Sequence, residues 1–314
     1  MSLDLQTWLG PIRREYVETF IPEGGGAVRF VVCDEMLATT MRRALTTSAE
    51  AAGLFRIDLD TADVKLHMLQ SVFFAIAGAL DWDRLVQTQL EAVAVRCGYR
   101  WPMPGARVGL GVLADANGIA PAMLRTTLQQ EITRSVWQDQ RLAQDFRKAV
   151  IALLSARIED DADVVRGAVL DWLHGRKASM KALGQVQIGA RIGRSSARAM
   201  LISLCHWVRD CGLSGLLVTL DVRRLLRERR EVSSGLVYAP AAVMDCYEVI
   251  RQVIDDAEHF PGLMLVVTGD ARLINDDVPK RSLTTYTALK MRVWDDVRPH
   301  GRDNPLSPLV VLAA

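Results

Sequence analysis

Short apolar runs separated by helical patterns are the feature of this chain that most constrains its fold. Several runs are almost continuously apolar, which is typical of parallel strands that are covered on both faces. The predicted strands cover residues 27–32, 54–59, 215–220, 262–268 and 308–312. Because strands that alternate with helices make right-handed crossovers, this pattern predicts an α/β fold with a mainly parallel sheet.

The middle of the chain has only helical patterns. Residues 66–97 and 122–173 have apolar positions every three to four residues, and residues 175–193 are rich in glycine and basic residues, as in a hinge. We therefore predict a helical insertion or lid within the α/β domain. The predicted segments are 1–80 for the first part of that domain, 81–190 for the insertion, and 191–314 for the second part.

Composition excludes several classes of protein. The 314 residues include 38 Lys+Arg and 37 Asp+Glu, so the net charge of +1 argues against a generally basic nucleic-acid binder, although a local patch remains possible. No apolar run approaches the length of a membrane-spanning helix, and the start of the chain does not resemble a secretory signal. The five cysteines are scattered without the spacing of a zinc site. We expect a cytoplasmic protein without a metal site or membrane segment.

The first predicted strand and the eight residues after it have the layout of a phosphate-binding loop, G-x-x-x-x-G-K-[ST]. Residues 33–40 occupy the eight positions of that loop, and a helical pattern begins at about residue 41. Cys33 and Ala38 stand where the two glycines belong, and Thr39 stands where the lysine belongs. Asp34 adds negative charge, and only Thr40 fits the motif. The layout predicts a nucleotide-hydrolase fold without the residues that hold phosphate.

The strand at 216–220 ends in an acidic position, as does the strand that helps to hold Mg²⁺ in such folds. Asp221 fills this position, but Val222 stands where a catalytic glutamate would orient water. Thr268, at the end of the next strand, is a candidate for sensing the γ-phosphate. The alternatives are a helix cap for Asp221 and a plain structural role for Thr268.

A set of passages in fixed order carries a resemblance to a known family. They are residues 15–18, 24–26, 58–60 with 66–67, 212–217, 247–251, 261–264, 286–289, 292 and 302–308. In this order they resemble the BREX-system ATP-binding proteins of the BrxC/BrxD type, a family of P-loop ATPases in bacterial anti-phage defence. Similar proteins occur in Shango-type defence, beside a TerB-like protein and a helicase. The resemblance implies a P-loop NTPase fold of the AAA-like type, with ATP and Mg²⁺ as ligands.

The chain departs from that family at the residues that hold nucleotide. Loss of the lysine alone removes a charge-assisted contact of roughly 1.5–3 kcal/mol. Met36 and Leu37 would crowd a phosphate cradle, and Glu35 would repel the anion. We expect weak or absent ATP binding and no hydrolysis, and thus a catalytically inactive subunit, a pseudo-ATPase, that requires no cofactor.

Two sets of arginines are candidates for contacts with other molecules. One set is interpreted as a patch that binds a phosphate backbone or an acidic partner. The alternative interpretation of this set is a solvated helix end with local ion pairs. Its members are Arg223, Arg224, Arg227, Arg229 and Arg230. The other set is Arg281 and Arg292, which flank the last helix and are candidates for reaching a neighbour's nucleotide site. Their alternative is an ion pair with Asp295 or Asp296.

Three functions are consistent with these patterns. The first is a scaffold or regulator in a defence complex, with an active ATPase paralogue, a helicase or another defence subunit as partner, in a homo- or hetero-oligomer. The second is a divergent ATPase that binds ATP and Mg²⁺ through Thr40, Asp221 and Thr268. The third is a DNA-binding module that uses the arginines between 223 and 230.

Overall fold

The computed structural model describes residues 2–159, 163–275, 280–294 and 304–313. The chain divides into two compact units. One consists of residues 1–75 and 213–314, and the other of residues 76–212. These bounds differ from the segment limits at 80 and 190 that the sequence suggested, because the helix before residue 212 groups with the helical unit.

The first unit contains a five-stranded sheet in which every pair of neighbours is parallel. The strands are β1 (Ala27–Val32), β2 (Leu54–Asp60), β3 (Gly215–Asp221), β4 (Leu263–Gly269) and β5 (Leu309–Val311), in the spatial order β2-β3-β4-β1-β5. All residues of β3 and β4 are buried, which explains their continuous apolar sequence. The predicted α/β fold of the P-loop NTPase type, with a mainly parallel sheet, is confirmed.

Several helices of this unit pack on the sheet or on one another. They are α1 (Leu5–Pro11), a π-helix (Ile12–Phe20), α2 (Glu35–Ala51), α11 (Pro240–Asp255) and α12 (Thr287–Val293), with α3 (Leu69–Ala79) at the boundary. Trp8, Met41 and Leu45 have no exposed surface and pack in one core with Val31 and Met264 of the sheet. Burial of each such side chain stabilises the fold by about 1.5–3 kcal/mol, so α1 and α2 are fixed on the sheet by their apolar faces.

The strand order marks where a ligand site is expected. The chain runs from β1 to β2 at one edge of the sheet, whereas it runs from β4 past β1 to β5 at the other edge. It therefore leaves the neighbouring strands β1 and β4 in opposite directions. In open α/β sheets, ligands bind outside the carboxyl ends of the strands at such a switch point. Residues that follow β1, β3 and β4 all lie at this edge.

The prediction of an eight-residue loop after β1 is wrong. Only Cys33 and Asp34 separate the strand from α2, which begins at Glu35. Asp34 ends the loop early because its carboxylate Oδ1 accepts the backbone N–H of Leu37 at 2.8 Å, as an N-cap does. Residues 33–40 contain no glycine, which would favour a loop over a helix, and Ala38 packs in the core. The positions assigned to the end of the phosphate loop are therefore in the first two turns of α2.

In the second unit, every regular element that the structure describes within residues 76–212 is a helix. Its helices are α4 (Trp82–Arg96), α5 (Leu110–Ala116), α6 (Pro121–Trp137), α7 (Gln144–Ile158), α8 (Asp163–Leu173), α9 (Met180–Gln185) and α10 (Arg194–Asp210). Trp82 and Trp207 stack with 5.2 Å between ring centroids, and Phe146 contacts Trp207 edge-on. These three aromatic side chains are buried and form part of this unit's core.

The boundaries of two predicted helices need correction. The pattern at 66–97 is divided into α3 and α4, because Asp81 caps a new helix by accepting the N–H of Arg84 at 3.0 Å. The sequence also predicts a helix over residues 284–297. It begins at Thr287, after a 3₁₀ turn at Leu283–Thr285, and its predicted end lies outside the described residues. Among the described helices, none combines the length and apolar character needed to cross a bilayer.

Candidate functional site

Asp221 is the acidic residue at the end of β3, and two guanidinium groups hold it. Its side chain is mostly buried, with Oδ2 at 3.0 Å from Nη1 of Arg223 and at 3.4 Å from Nη1 of Arg42. The other oxygen, Oδ1, accepts the backbone N–H of Arg223 at 3.0 Å. Burial raises the pKa of Asp221 and nearby Asp60 acts in the same direction, whereas Arg223 and Arg42 lower it. The carboxylate is thus already paired with cations from its own chain.

Arg223 connects three parts of the carboxyl edge. Besides Asp221, its Nη1 lies 3.4 Å from Oε2 of Glu35, and its Nη2 donates to the carbonyl oxygen of Asp34 at 3.3 Å. Asp34 follows β1 and Asp221 ends β3, and β4 lies between these strands. The guanidinium of Arg223 therefore spans the switch point. Only 6% of Arg223 is exposed, so it does not belong to the solvent-facing patch in which the sequence placed it.

The amino terminus of α2 carries negative charge from the chain itself. Asp34 occupies the N-cap position, where its carboxylate accepts the backbone N–H of Leu37, and the exposed Glu35 follows in the first turn. Both carboxylates lie where the helix dipole favours an anion. There is no lysine between residues 33 and 52. The place that a P-loop offers to phosphate is therefore taken by a carboxylate.

The remaining residues of the predicted loop make contacts within the chain. Thr39 and Thr40 are exposed on α2, and their hydroxyls donate to the carbonyl oxygens one turn earlier, at 2.9 and 3.1 Å. Ala38 and Val222 have no exposed surface. Cys33 is buried as well, and burial raises the pKa of its thiol to about 11, so the thiol is neutral. Among Cys33, Ala38, Thr39, Thr40 and Val222, only the threonines face solvent, and Met36 of the predicted loop is exposed as well.

Thr268, the predicted γ-phosphate sensor, lies beside Asp221 in the sheet but does not face a ligand. It pairs with Asp221 across β3 and β4, and its side chain has no exposed surface. Its hydroxyl donates to the carbonyl oxygen of Leu220 at 3.4 Å. The contact between Thr268 and a ligand would require rearrangement of the strand ends.

A small cleft lies at this edge. Its volume is about 170 Å³, and its walls carry three carboxylates and three guanidinium groups. It is lined by Glu35, Asp60, Ala62, Asp221, Arg223, Arg224 and Arg227. Small-molecule sites usually have volumes of about 300–1,000 Å³. The cleft is therefore smaller than a usual ligand site, and its charges largely offset one another.

The five arginines of the predicted patch are separated in the structure. Arg224 donates from Nη2 to the carbonyl oxygen of Ser234 at 2.7 Å, and Arg227 lines the cleft. Arg229 and Arg230 are exposed, with Arg230 Nε at 3.0 Å from Glu228. The segment forms two 3₁₀ turns rather than the end of an α-helix. Arg229 and Arg230 are the fully exposed members of the set.

Arg281 is buried and fixes a loop of its own chain. Its Nη1 donates to the carbonyl oxygen of Leu225 at 2.9 Å, and its Nη2 donates to that of Tyr238 at 3.0 Å. The hydroxyl of Tyr247 donates to the carbonyl oxygen of Arg281 at 2.6 Å. With 8% exposure, this side chain does not fit the predicted role of reaching into a neighbouring molecule.

Arg292 lies on the surface and forms an ion pair with Asp255 of α11. Its Nη2 is 3.0 Å from Oδ2 of Asp255, and its Nη1 donates to the carbonyl oxygen of Ala288 at 2.7 Å. The partners considered from the sequence, Asp295 and Asp296, lie outside the described residues. Arg292 therefore has an intramolecular partner that the sequence pattern did not indicate.

Sequence reasoning missed the internal role of Arg223 and the participation of Arg42 and Asp60. The sequence did contain a signal for the role of Arg223, because an arginine two positions after a buried aspartate at a strand end is placed to pair with that aspartate. The contact between Arg42 and Asp221 joins residues 179 positions apart and has no local signal. Among the described residues, no three His, Cys, Asp or Glu side chains are grouped to hold a metal ion.

Comparison with protein families gives one match for this chain. A family model described as "BREX system ATP-binding protein BrxC/D" matches residues 112–314, which are 203 of the 314 residues. The matched part includes β3, β4 and β5 and leaves out β1 and α2. Comparisons with the curated proteins and with the solved structures gave no match.

Proposed function

The chain belongs to the BrxC/D family of BREX system ATP-binding proteins and is an ATPase-like defence subunit, and from this premise we propose that it is a pseudo-ATPase. It acts as a scaffold or regulator within an anti-phage assembly and does not hydrolyse ATP. The observation that carries this proposal is the two-residue link between β1 and α2, closed by the carboxylate of Asp34 on the N–H of Leu37.

This link does not fit a triphosphate. A P-loop holds phosphate because glycine backbones surround it with inward N–H groups and a lysine adds positive charge. Here only two residues join β1 to α2, and the N–H of Leu37 in the first turn of α2 donates to the carboxylate of Asp34. An incoming phosphate would meet the negative charges of Asp34 and Glu35 at close range, where like charges repel.

The acidic position at the end of β3 does not fit Mg²⁺ either. In nucleotide hydrolases this aspartate helps to hold the metal ion. The carboxylate of Asp221 is instead engaged by Arg223 on both oxygens and by Arg42 on one. A metal ion would have to displace a buried guanidinium and would leave it without its partner. Val222 supplies no group to orient water.

A scaffold or regulator needs the architecture but not the chemistry of an ATPase. The parallel sheet and its flanking helices are complete around the altered site. In this proposal the partner is an active ATPase paralogue, a helicase or another subunit of the same system, in a hetero- or homo-oligomer. The partner supplies ATP turnover, and this chain supplies a binding surface that is independent of nucleotide.

Isothermal titration with Mg-ATP tests the proposal. We expect no binding heat at micromolar affinity for the wild-type chain. An Asp221→Asn variant is the comparison, because it removes the charge of the acidic position but keeps the size of the side chain and an oxygen that faces Arg223. A clear micromolar signal from the wild-type chain contradicts the proposal, and its loss in this variant would place the nucleotide at Asp221.

The family description favours a second candidate, a divergent ATPase that uses Thr40, Asp221 and Thr268. Phosphate release by the purified chain, lost on Asp221→Ala, is the result expected for it.

A third experiment addresses the scaffold role directly. Adding this chain to an active ATPase of the same defence system should change that enzyme's turnover and give a stable complex in size-exclusion chromatography. Unchanged turnover with separate elution would contradict that role.

A further inference from the structure

Helices α5 and α6 of the helical unit are packed together and joined by a short turn, which is the layout of a helix-turn-helix. A four-residue connection, residues 117–120, joins them. Gly118 has φ +63°, a left-handed conformation that glycine adopts without steric cost. The N–H of Ile119 donates to the carbonyl oxygen of Ala114 at 3.1 Å, which ends α5 as in a Schellman motif. A short turn with glycine between two packed helices is the signature of this motif.

Apolar contacts fix the two helices in place. Leu113 and Ala114 of α5 are buried, and the small side chain of Ala114 allows close packing. On α6, one face is buried at Leu124, Leu128 and Ile132, at intervals of four residues. This face packs against α4, α5 and α7. The opposite face of α6 is left for solvent.

The turn also holds a basic residue beside it. The side chain of Asn117 accepts the backbone N–H of Arg100 at 2.8 Å and donates to the carbonyl oxygen of Arg100 at 3.0 Å. It also donates to the carbonyl oxygen of Leu113 at 2.8 Å. Arg100 is exposed, so its guanidinium projects into solvent next to the turn.

The exposed face at the start of α6 carries side chains that suit DNA bases. Met123, Arg125, Thr126 and Gln130 are exposed. The first turn contains no acidic residue, and the N-cap residue, Ala120, makes no side-chain cap. Arginine pairs with guanine, threonine bonds with several bases, and an apolar side chain contacts the thymine methyl group. No acidic group on this turn opposes a phosphate.

The charge around the motif favours a nucleic acid, although the whole chain is nearly neutral. Residues 96–137 contain five arginines and no lysine, against two acidic residues, Asp115 and Glu131. Glu131 is paired with Arg96 and Arg134. Among the described residues, Arg100, Arg107 and Arg125 have no carboxylate partner, and all three are exposed. These free guanidinium groups suit the phosphate backbone.

We propose that α5 and α6 bind duplex DNA, with the first turns of α6 in the major groove and α5 across the backbone. The second helix of such a motif reads bases with its amino-terminal residues. Arg125 is the base-reading residue, and Arg100 contacts a phosphate beside the turn. This surface lies within the helical unit, differs from the arginines at 223–230, and does not depend on the proposed loss of ATP binding.

Fluorescence anisotropy with the full chain tests this site. The probe is a fluorescein-labelled duplex with a random 20-base-pair core, and sequencing of the bound fraction reports any sequence preference. We expect Arg125→Ala to weaken binding of the enriched duplex by about tenfold. Arg100→Ala should weaken binding to all duplexes and lower the salt slope by about 1. Because both side chains are exposed, the thermal midpoint should stay unchanged.

Two variants serve as matched controls. Arg134→Ala removes the same charge from α6, but at an arginine that already pairs with Glu131, and Arg230→Ala removes it from the other candidate surface. Both should bind DNA as the wild type does. The proposal is overturned if the wild-type chain does not bind duplex at 50 mM salt, or if Arg125→Ala and Arg100→Ala both bind DNA as the wild type does, whatever the effect of Arg230→Ala.

Discussion

Arg223 donates a hydrogen bond from Nη1 to Oδ2 of Asp221 at 3.0 Å, and each of these residues is less than a tenth exposed. Charges this deep are stable only when they are paired. The pair lies at the switch point of the sheet, where an α/β protein is expected to bind its ligand. An interaction inside the chain thus occupies the position at which chemistry would take place in a related ATPase.

Replacement of Arg223 by methionine should destabilise the first unit. Loss of one partner leaves Asp221 buried and opposed only by the more distant Arg42, and the expected loss in the free energy of unfolding is about 3 kcal/mol. Urea unfolding followed by tryptophan fluorescence measures it. The double variant Arg223→Met with Asp221→Asn should recover most of the loss, because no uncompensated charge remains. Equal stability of wild type and Arg223→Met would contradict this role, and Arg230→Met is the exposed control.

Asp34 should stabilise α2 as its N-cap. Asp34→Ala removes the acceptor for the N–H of Leu37 and should cost about 1 kcal/mol in the free energy of unfolding. Asp34→Ser keeps a capping oxygen without the charge and should cost much less. Thermal unfolding of both variants separates the hydrogen bond from the charge. A similar loss in the two variants would show that the charge of Asp34, and not its capping bond, stabilises the helix.

Arg281 should hold the segment from Val222 to Tyr238 in place. Without its bonds to the carbonyl oxygens of Leu225 and Tyr238, trypsin should cut more rapidly after Arg229 and Arg230. We expect faster cleavage in Arg281→Ala by limited proteolysis with mass spectrometry. Arg292→Ala, which breaks a surface ion pair, is the control and should leave the cleavage rate unchanged. Equal rates in wild type and Arg281→Ala would argue against this function.

Glycine should be required at position 118 because of the backbone conformation there, and not because a larger side chain would lack space. No atom lies within 4 Å of a Cβ at Gly118 or at Gly111, but only Gly118 has a positive φ. Gly118→Ala should therefore cost about 1 kcal/mol or more, whereas Gly111→Ala, inside α5, should be neutral or stabilising by up to about 1 kcal/mol. Thermal unfolding of the pair measures both, and equal effects would contradict the assigned turn.

Glu248 should make the free energy of unfolding depend on pH in the acidic range. Hydrogen bonds from Arg251, and a further one from Tyr286, lower the pKa of its carboxyl group to about 2. Since the pKa is lower in the folded state, Glu248 stabilises the fold above its ordinary pKa of 4.5, and this contribution disappears as the pH falls toward 2. The stability difference between wild type and Glu248→Gln should shrink over that range in urea unfolding. A difference that is constant from pH 6 to pH 2.5 would refute this.

The sheet was predictable from sequence because its central strands are buried on both faces and are therefore apolar throughout. The beginning of α2 was not, since residues 35–40 fit both a helix and a degenerate loop. The cap at Asp34 decides between them, and it depends on where Ala38 and Met41 pack. Contacts such as that from Arg281 to Leu225 cross 56 positions and leave no local pattern.

The short link between β1 and α2 limits how this chain can change. A motif of eight positions does not fit where two residues join the strand to the helix. Exchange of side chains alone, such as glycine for Ala38 or lysine for Thr39, would alter a helix and would not create a loop. On the proposal of an inactive subunit, a phosphate-binding loop would have to be built by insertion of residues after Val32, and the difference from an active relative would then be one of chain length.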